Sequence, residues 1–154
     1  IELAKNDGLT VIADAADTDY DLVQSLGADY IVARGPNVAA AIRNEFPEGV
    51  DGLADGAVQN EIVIDAVRDG GAFTAVRGFK GERHRSINFS QTFVRNYDGE
   101  FEKLNQLRKL VDEQKLTLRV ANTYKPENVS AAHARLEAGG TRGRLVIEFY
   151  PEDI

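Results

Sequence analysis

The stretch 8–33, GLTVIADAADTDYDLVQSLGADYIVA, decides the fold. Residues 9–13 are a short apolar run after a glycine, rich in β-formers, and predict a buried strand that ends at Asp14. Thr18 then opens a helix, with Asp21 in the capping-box position, Leu22, Val23 and Leu26 on one face, and Gly27 as its stop. Residues 30–33, Tyr-Ile-Val-Ala, form the next strand. Neither strand alternates apolar with polar, so both are buried on two faces. Strands of that kind pair in parallel and are joined by right-handed helical crossovers.

The same unit recurs downstream. Asn37 caps a helix with Val38, Ala41, Ile42 and Phe46 on its apolar side, and Pro47 and Gly49 break it. A third strand covers 50–54, and a helix over 60–68 carries Ile62, Val63, Ala66 and Val67 inward. Asp69-Gly70-Gly71 ends that helix, and 72–76 is a fourth strand. Three strand–helix alternations predict an α/β, Rossmann-like, doubly wound parallel sheet.

After Gly78 the pattern changes. Residues 80–85 are a polar, basic loop, and 86–94 read as an irregular edge strand with Ile87, Phe89 and Phe93. The longest helix spans 99–114, with Phe101, Leu104, Leu107 and Val111 at helical spacing. A strand over 116–124 follows, and Pro126 opens a helix with Val129, Ala132, His133 and Leu136 inward. Gly139 and Gly140 end it, and 143–149 form a last strand. Upstream, residues 1–8 read as the final turns of a helix closed by Gly8, which is expected of a piece of a longer protein.

Composition narrows the function classes. The chain has 154 residues, 43% hydrophobic and 28% charged, as in ordinary globular proteins. No apolar run approaches the ~20 residues that cross a bilayer, and no basic stretch precedes an apolar one at the start, so neither a membrane span nor a signal peptide is expected. There are 0 Cys and 2 His, which removes disulfides and thiolate metal sites, makes a His-based zinc site unexpected and fits the cytoplasm. A net charge of −7 argues against a nucleic-acid partner. Neither His stands beside a Ser/Asp or Cys arrangement suited to nucleophilic catalysis.

Asp14 is the first candidate site residue. A carboxylate at the end of the second strand of a dinucleotide sheet accepts hydrogen bonds from the adenosine ribose and repels a 2′-phosphate. Asp17, Asp19 and Asp21 follow with no Lys or Arg before Arg34, so the local field favours NADH over NADPH. Those three acids read equally as caps of the next helix. The turns Asp55-Gly56-Ala57 and Val76-Arg77-Gly78 end parallel strands, at the edge where open α/β sheets bind ligands, although glycine also follows strands for turn geometry alone. His133 reads as a buried structural histidine and His84 as a solvated one.

Four segments, IELAKNDGLTVIADAADTDYDLVQSLGADYIV, GVDGLADGA, VRDGGAFTAVRG and YKPENVSAAHARLEAGGTRGRLVIEF, in this order and spacing resemble the C-terminal part of medium-chain dehydrogenase/reductases, on the zinc-independent quinone oxidoreductase side. The resemblance covers nearly the whole chain. It implies a partial dinucleotide-binding domain over 1–114 and, over 115–154, a segment that returns to the catalytic domain. The family's first strand and its Gly-x-Gly-x-x-Gly turn have no counterpart here; Gly139-Gly140-Thr141-Arg142-Gly143 lies between a helix and a strand, the wrong context. In the order 3-2-1-4-5-6 that strand is central, so this chain alone is expected to self-associate or to be poorly stable.

The resemblance further implies that Gly56 and Ala57, with Val76, Arg77 and Gly78, flank the adenosine and nicotinamide ends of NADPH or NADH. It places Phe93 and Val94 near the nicotinamide, where a bare Phe reads equally as core, and Arg144 near the cofactor, where an Arg reads equally as a solvated charge. No catalytic residue and no metal ligand is assigned. The implied activity is hydride transfer from NAD(P)H to a quinone or enone, with a small-molecule substrate and a homodimer joined through the 86–94 edge; the rival is a monomer whose basic loop 80–85 blocks that edge. The alternative is a non-catalytic α/β module that binds a nucleotide or a protein.

Overall fold

A computed structural model describes residues 1–79 and 84–149. It divides into two compact units, Ile1–Gln106 and Leu107–Ile154. The fold is α/β and Rossmann-like, with parallel pairing throughout the described sheets.

In the first unit, α1 (Glu2–Asn6) leads through Gly8, at φ 76°, into β1 (Ile12–Ala15). A 3₁₀ turn, Asp17–Asp19, precedes α2 (Tyr20–Ser25), and β2 (Tyr30–Ala33) follows. β1 and β2 pair with Asp14 opposite Val32. The strand expected to end at Asp14 therefore runs through it. The helix starts one residue later than expected: the N-cap of α2 is Asp19, and it makes no side-chain capping bond.

Next come α3 (Val38–Glu45), β3 (Val50–Asp55), α4 (Glu61–Ile64), β4 (Val67–Ala75) and β5 (Asn88–Gln91). The last three strands form a second sheet in the order β3-β4-β5. No described ladder joins β1 to β3, so the break falls between the strands that occupy places 2 and 4 of a doubly wound sheet.

One apolar core nevertheless spans both sheets. It joins Val32 of β2, Val38, Ala39 and Ile42 of α3, Val63 and Ile64 of α4, and Phe73 and Ala75 of β4. Phe73, Phe79 and Phe89 add a ring cluster with centroids 5.2–5.6 Å apart. Such pairs contribute about 0.5–1.5 kcal/mol each beyond area burial.

The expected helix over 60–68 shrinks to the single turn of α4, and β4 starts at Val67. Gly70 and Gly71 do not stop a helix; they bulge a strand. The β3–β4 register slips between Val50 and Gly52, and a Cβ on Gly71 would stand 2.7 Å from Val67 Cγ1 and 3.0 Å from the Asp51 carbonyl. Two arginines satisfy the carbonyls that so short a helix leaves open. Arg43 donates to Asp65 O at 2.7 Å and Val67 O at 2.9 Å, and Arg85 donates to Ile64 O at 2.9 Å and Val67 O at 2.8 Å. Arg85, expected in a solvated loop, is thus a tie within the fold; residues 80–83 of that loop lie outside the described residues. Ile62, expected inward, is half exposed.

α5 (Phe101–Asp112) carries Phe101, Leu104 and Leu107 on its surface rather than in a core. The second unit pairs β6 (Val120–Tyr124) with β7 (Arg144–Ile147) beside α6 (Val129–Glu137). Of α6 only Ala132 is buried; Val129, His133 and Leu136, expected inward, are exposed. Two strands and one helix leave an apolar face uncovered among the described residues, which is where the periodicity overstates burial.

Candidate functional site

The carboxyl ends of β1 to β5 gather the candidate residues of the first unit. Asp14 lies in β1, one residue before its end, and Ala15 O accepts the Arg34 N–H at 2.9 Å. That bond carries Arg34 past the end of β2 and alongside Asp14. Its Nε donates to Asp14 Oδ2 at 3.0 Å, and its Nη2 stands 3.4 Å from Asp14 O. Gln59 Nε2, from the turn after β3, approaches the same Oδ2 at 3.5 Å. The wholly negative field expected around Asp14 is therefore corrected by an arginine 20 residues downstream.

Asp55 ends β3 and is 4% exposed. Its Oδ1 accepts the Ala57 N–H at 3.0 Å, and its Oδ2 accepts the Asn60 N–H at 2.7 Å. These bonds fold residues 56–60 back over the strand end and hold Val58 and Asn60 at positive φ, 60° and 52°. Nothing stands within 4 Å of a Cβ built on Gly56, so the turn leaves its backbone open. Asn60 Oδ1 is buried without a partner among the described residues.

Val76 N donates to Asp55 O at 3.3 Å, which sets the turn after β4 beside the turn after β3. Val76 and Arg77 are exposed. Gly78, at φ 76°, is covered instead: a Cβ there would lie 3.1 Å from Gln91 Oε1 and 3.4 Å from Phe93 Cζ. Gln91 in turn donates to Phe79 O at 3.1 Å. Phe93 is half exposed and Val94 almost fully so, at 43% and 87%; Phe93 is not a core residue. Arg144 opens β7 in the second unit, is exposed, and donates its N–H to Arg119 O at 2.8 Å.

The structure brings Asp14, Gly56, Ala57, Val76, Arg77 and Gly78 to strand ends of the first unit, with Phe93 and Val94 just beyond β5. Sequence reading missed Arg34 as a partner of Asp14, along with Gln59, Asn60 and Gln91. The Asp55 turn had a local signal, since an aspartate followed by small residues and an asparagine is a side-chain-to-backbone turn former.

These residues fit a nicotinamide dinucleotide. A carboxylate near the end of β1 and an open glycine backbone at the end of β3 suit ribose and base polar groups. The chain has no cysteine, and no cluster of three His, Asp or Glu that could hold a metal occurs among the described residues. No helix of the described residues is long and apolar enough to cross a membrane.

The chain is similar to several solved structures. An NAD-dependent alcohol dehydrogenase shares 24% identity at TM-score 0.81, over 96% of this chain and 46% of the other. A Bacillus thuringiensis protein, provisionally described as an NADPH:quinone reductase, shares 19% at 0.78, over 96% and 51%. The CurK enoyl reductase shares 17% at 0.76, over 95% and 49%. The chain thus spans about half the length of these proteins. No curated protein sequence matches it. The profile of the family described as zinc-binding dehydrogenase, within the medium-chain dehydrogenase/reductase superfamily, matches residues 26–147, and the chain belongs to that family.

Proposed function

We propose that this chain forms the dinucleotide-binding part of a zinc-independent, NAD(P)H-dependent oxidoreductase that reduces a quinone or an enone-type carbonyl. The observation that carries the reading is the gathering of Asp14, the Asp55–Asn60 turn and the Val76–Gly78 turn at the carboxyl ends of parallel strands in a member of this dehydrogenase family. Bound NAD(P)H would supply the hydride. The chain's own residues bind and orient. Asp14 accepts a ribose hydroxyl, and the turn held by Asp55 presents the open Gly56 and Ala57 backbone. Val76, Arg77 and Gly78 line the neighbouring strand end. Phe93 and Val94, apolar and exposed, exclude water; Arg144, in the second unit, binds the cofactor on the family resemblance alone.

The acceptor is a small molecule reduced without acid–base help from any residue assigned here. The absence of cysteine suits the reducing cytoplasm. Among the described residues β5 is the last strand of its sheet, and its outer edge suits isologous pairing with a second copy in a homodimer.

The test is oxidation of NADH and NADPH by the intact protein with a benzoquinone, with an enone, and with a simple aldehyde. Each assay is repeated after treatment with a zinc chelator. Reduction of the quinone or enone that is indifferent to the chelator supports the reading. Activity confined to the aldehyde–alcohol couple, and abolished by the chelator, overturns it.

A further inference from the structure

We infer that the turn over residues 56–60 is a two-state element. One form is strained and tethered to Asp55, and presents the Gly56–Ala57 backbone at the strand ends. In the other, relaxed form Asn60 caps α4 and that backbone is withdrawn. The two forms are a property of the turn; their effect on nucleotide binding rests on the dinucleotide reading above.

Three costs meet at Asn60. Its backbone sits at φ 52°, ψ −119°, and Ile62 N donates to Gln59 O at 3.2 Å. That is the first corner of a type II′ turn, a corner that glycine takes. Asn60 is also the N-cap of α4, yet its side chain makes no capping bond. Its Oδ1 is buried without a partner among the described residues. Two residues earlier Val58 stands at φ 60°, where a β-branched side chain is an outlier.

One rearrangement removes all three costs. An asparagine at an N-cap ordinarily has an extended backbone, and its side-chain oxygen accepts the N–H two or three residues on. Here those donors are Ile62 and Val63, bonded instead to the Gln59 and Asn60 carbonyls at 3.2 and 3.1 Å. Asp55 opposes the change. Its buried carboxylate accepts the Asn60 N–H at 2.7 Å and the Ala57 N–H at 3.0 Å, and charge-assisted bonds of this kind are strong. Bringing Val58 and Asn60 to negative φ turns the peptide planes between them, and the Asn60 N–H leaves that carboxylate. The turn also carries Gln59, whose Nε2 lies 3.5 Å from Asp14 Oδ2, so the tethered form sets a polar approach across the sheet break as well. The rival is a rigid turn that tolerates Asn60 and has no second form to populate.

The experiment compares wild type, Asn60→Gly and Asn60→Asp as the full chain. It reads thermal melts, hydrogen exchange of the amides of residues 57 and 60, and calorimetry with 5′-ADP. Asn60→Gly keeps the N–H for Asp55, accepts the positive φ and cannot cap. It is expected to raise Tm by about 2–4 °C, since relief of strain outweighs the freedom glycine gains in the unfolded chain, and to slow exchange about tenfold. Asn60→Asp still caps, suits a helix start and is repelled by Asp55. It is expected to speed exchange about tenfold and to weaken 5′-ADP by a similar factor. In wild type, added 5′-ADP is expected to slow the same two amides. A lowered Tm in Asn60→Gly, or exchange that moves the same way in both variants, overturns the two forms. If folded wild type does not bind 5′-ADP while the variants move exchange in opposite directions, the two forms stand and the dinucleotide reading falls.

Discussion

Asp55 holds Asn60: the carboxylate at the end of β3 accepts the Asn60 N–H at 2.7 Å, across a turn that also bonds Ala57. The relationship fixes the turn that carries Gly56 and Ala57. Replacing Asp55 with Ala removes the acceptor for two backbone donors. It is expected to lower stability by about 1–3 kcal/mol in urea unfolding, with Asp55→Asn in between. Both variants are expected to weaken dinucleotide binding, because the turn no longer has a fixed shape.

The two glycines of the β4 bulge should behave differently. Gly70 is at φ 70° with nothing near its missing Cβ, whereas Gly71 faces Val67 Cγ1 at 2.7 Å and backbone oxygens at 3.0 Å. Gly70→Ala costs only the backbone preference, about 1 kcal/mol. Gly71→Ala forces strands apart and is expected to cost more, about 1–3 kcal/mol. Thermal melts of the two variants check the order; the reverse order would contradict the bulge.

This bulge is also where the sequence misled. Val63, Ala66 and Val67 are buried as the helical reading required, but they are buried from a single turn and from a strand. Glycine pairs mark both helix ends and strand bulges, and only the neighbouring strand decides between them. Residues 30–33 were legible because four apolar residues between Gly27 and Gly35 admit one reading. The Arg34–Asp14 and Gln59–Asp14 approaches were not legible. They link residues 20 and 45 apart, and depend on strand register that no local pattern specifies.

Asp29 ties the entry of β1 to the turn before β2. Its Oδ2 accepts the Val11 N–H at 2.7 Å and the Lys5 ammonium at 2.8 Å. The Lys5 contact first, and the Val11 N–H second, hold its carboxyl below the ordinary value of 3.8. A depressed folded pKa adds stability that is present above the ordinary value and is lost as pH falls through the folded one. Wild type is therefore expected to lose urea stability as pH falls below about 3.8 more steeply than Asp29→Asn. Equal slopes for the two proteins would show that the tie contributes nothing.

β1 and β3 each leave one edge without a ladder partner among the described residues. Open edges recruit other strands. The 154-residue chain on its own is expected to self-associate in sedimentation velocity, and a monomer with a sharp cooperative melt would contradict this.

The sheet break has a mechanical consequence. A hydrogen-bonded ladder fixes two strands at one register, because any slip breaks every bond at once. Between β1-β2 and β3-β4-β5 no ladder is described; α3 and α4 side chains pack across, Arg43 of α3 donates to Val67 O of β4, and Gln59 approaches Asp14. Apolar packing has no register and yields gradually under shear. Within each sheet the ladders resist slip, and between Asp14 and Asp55 no ladder among the described residues does so. Amide protons of the two sheets should accordingly exchange with solvent as separate cooperative groups, the β1-β2 pair opening first because it holds fewer fully buried side chains.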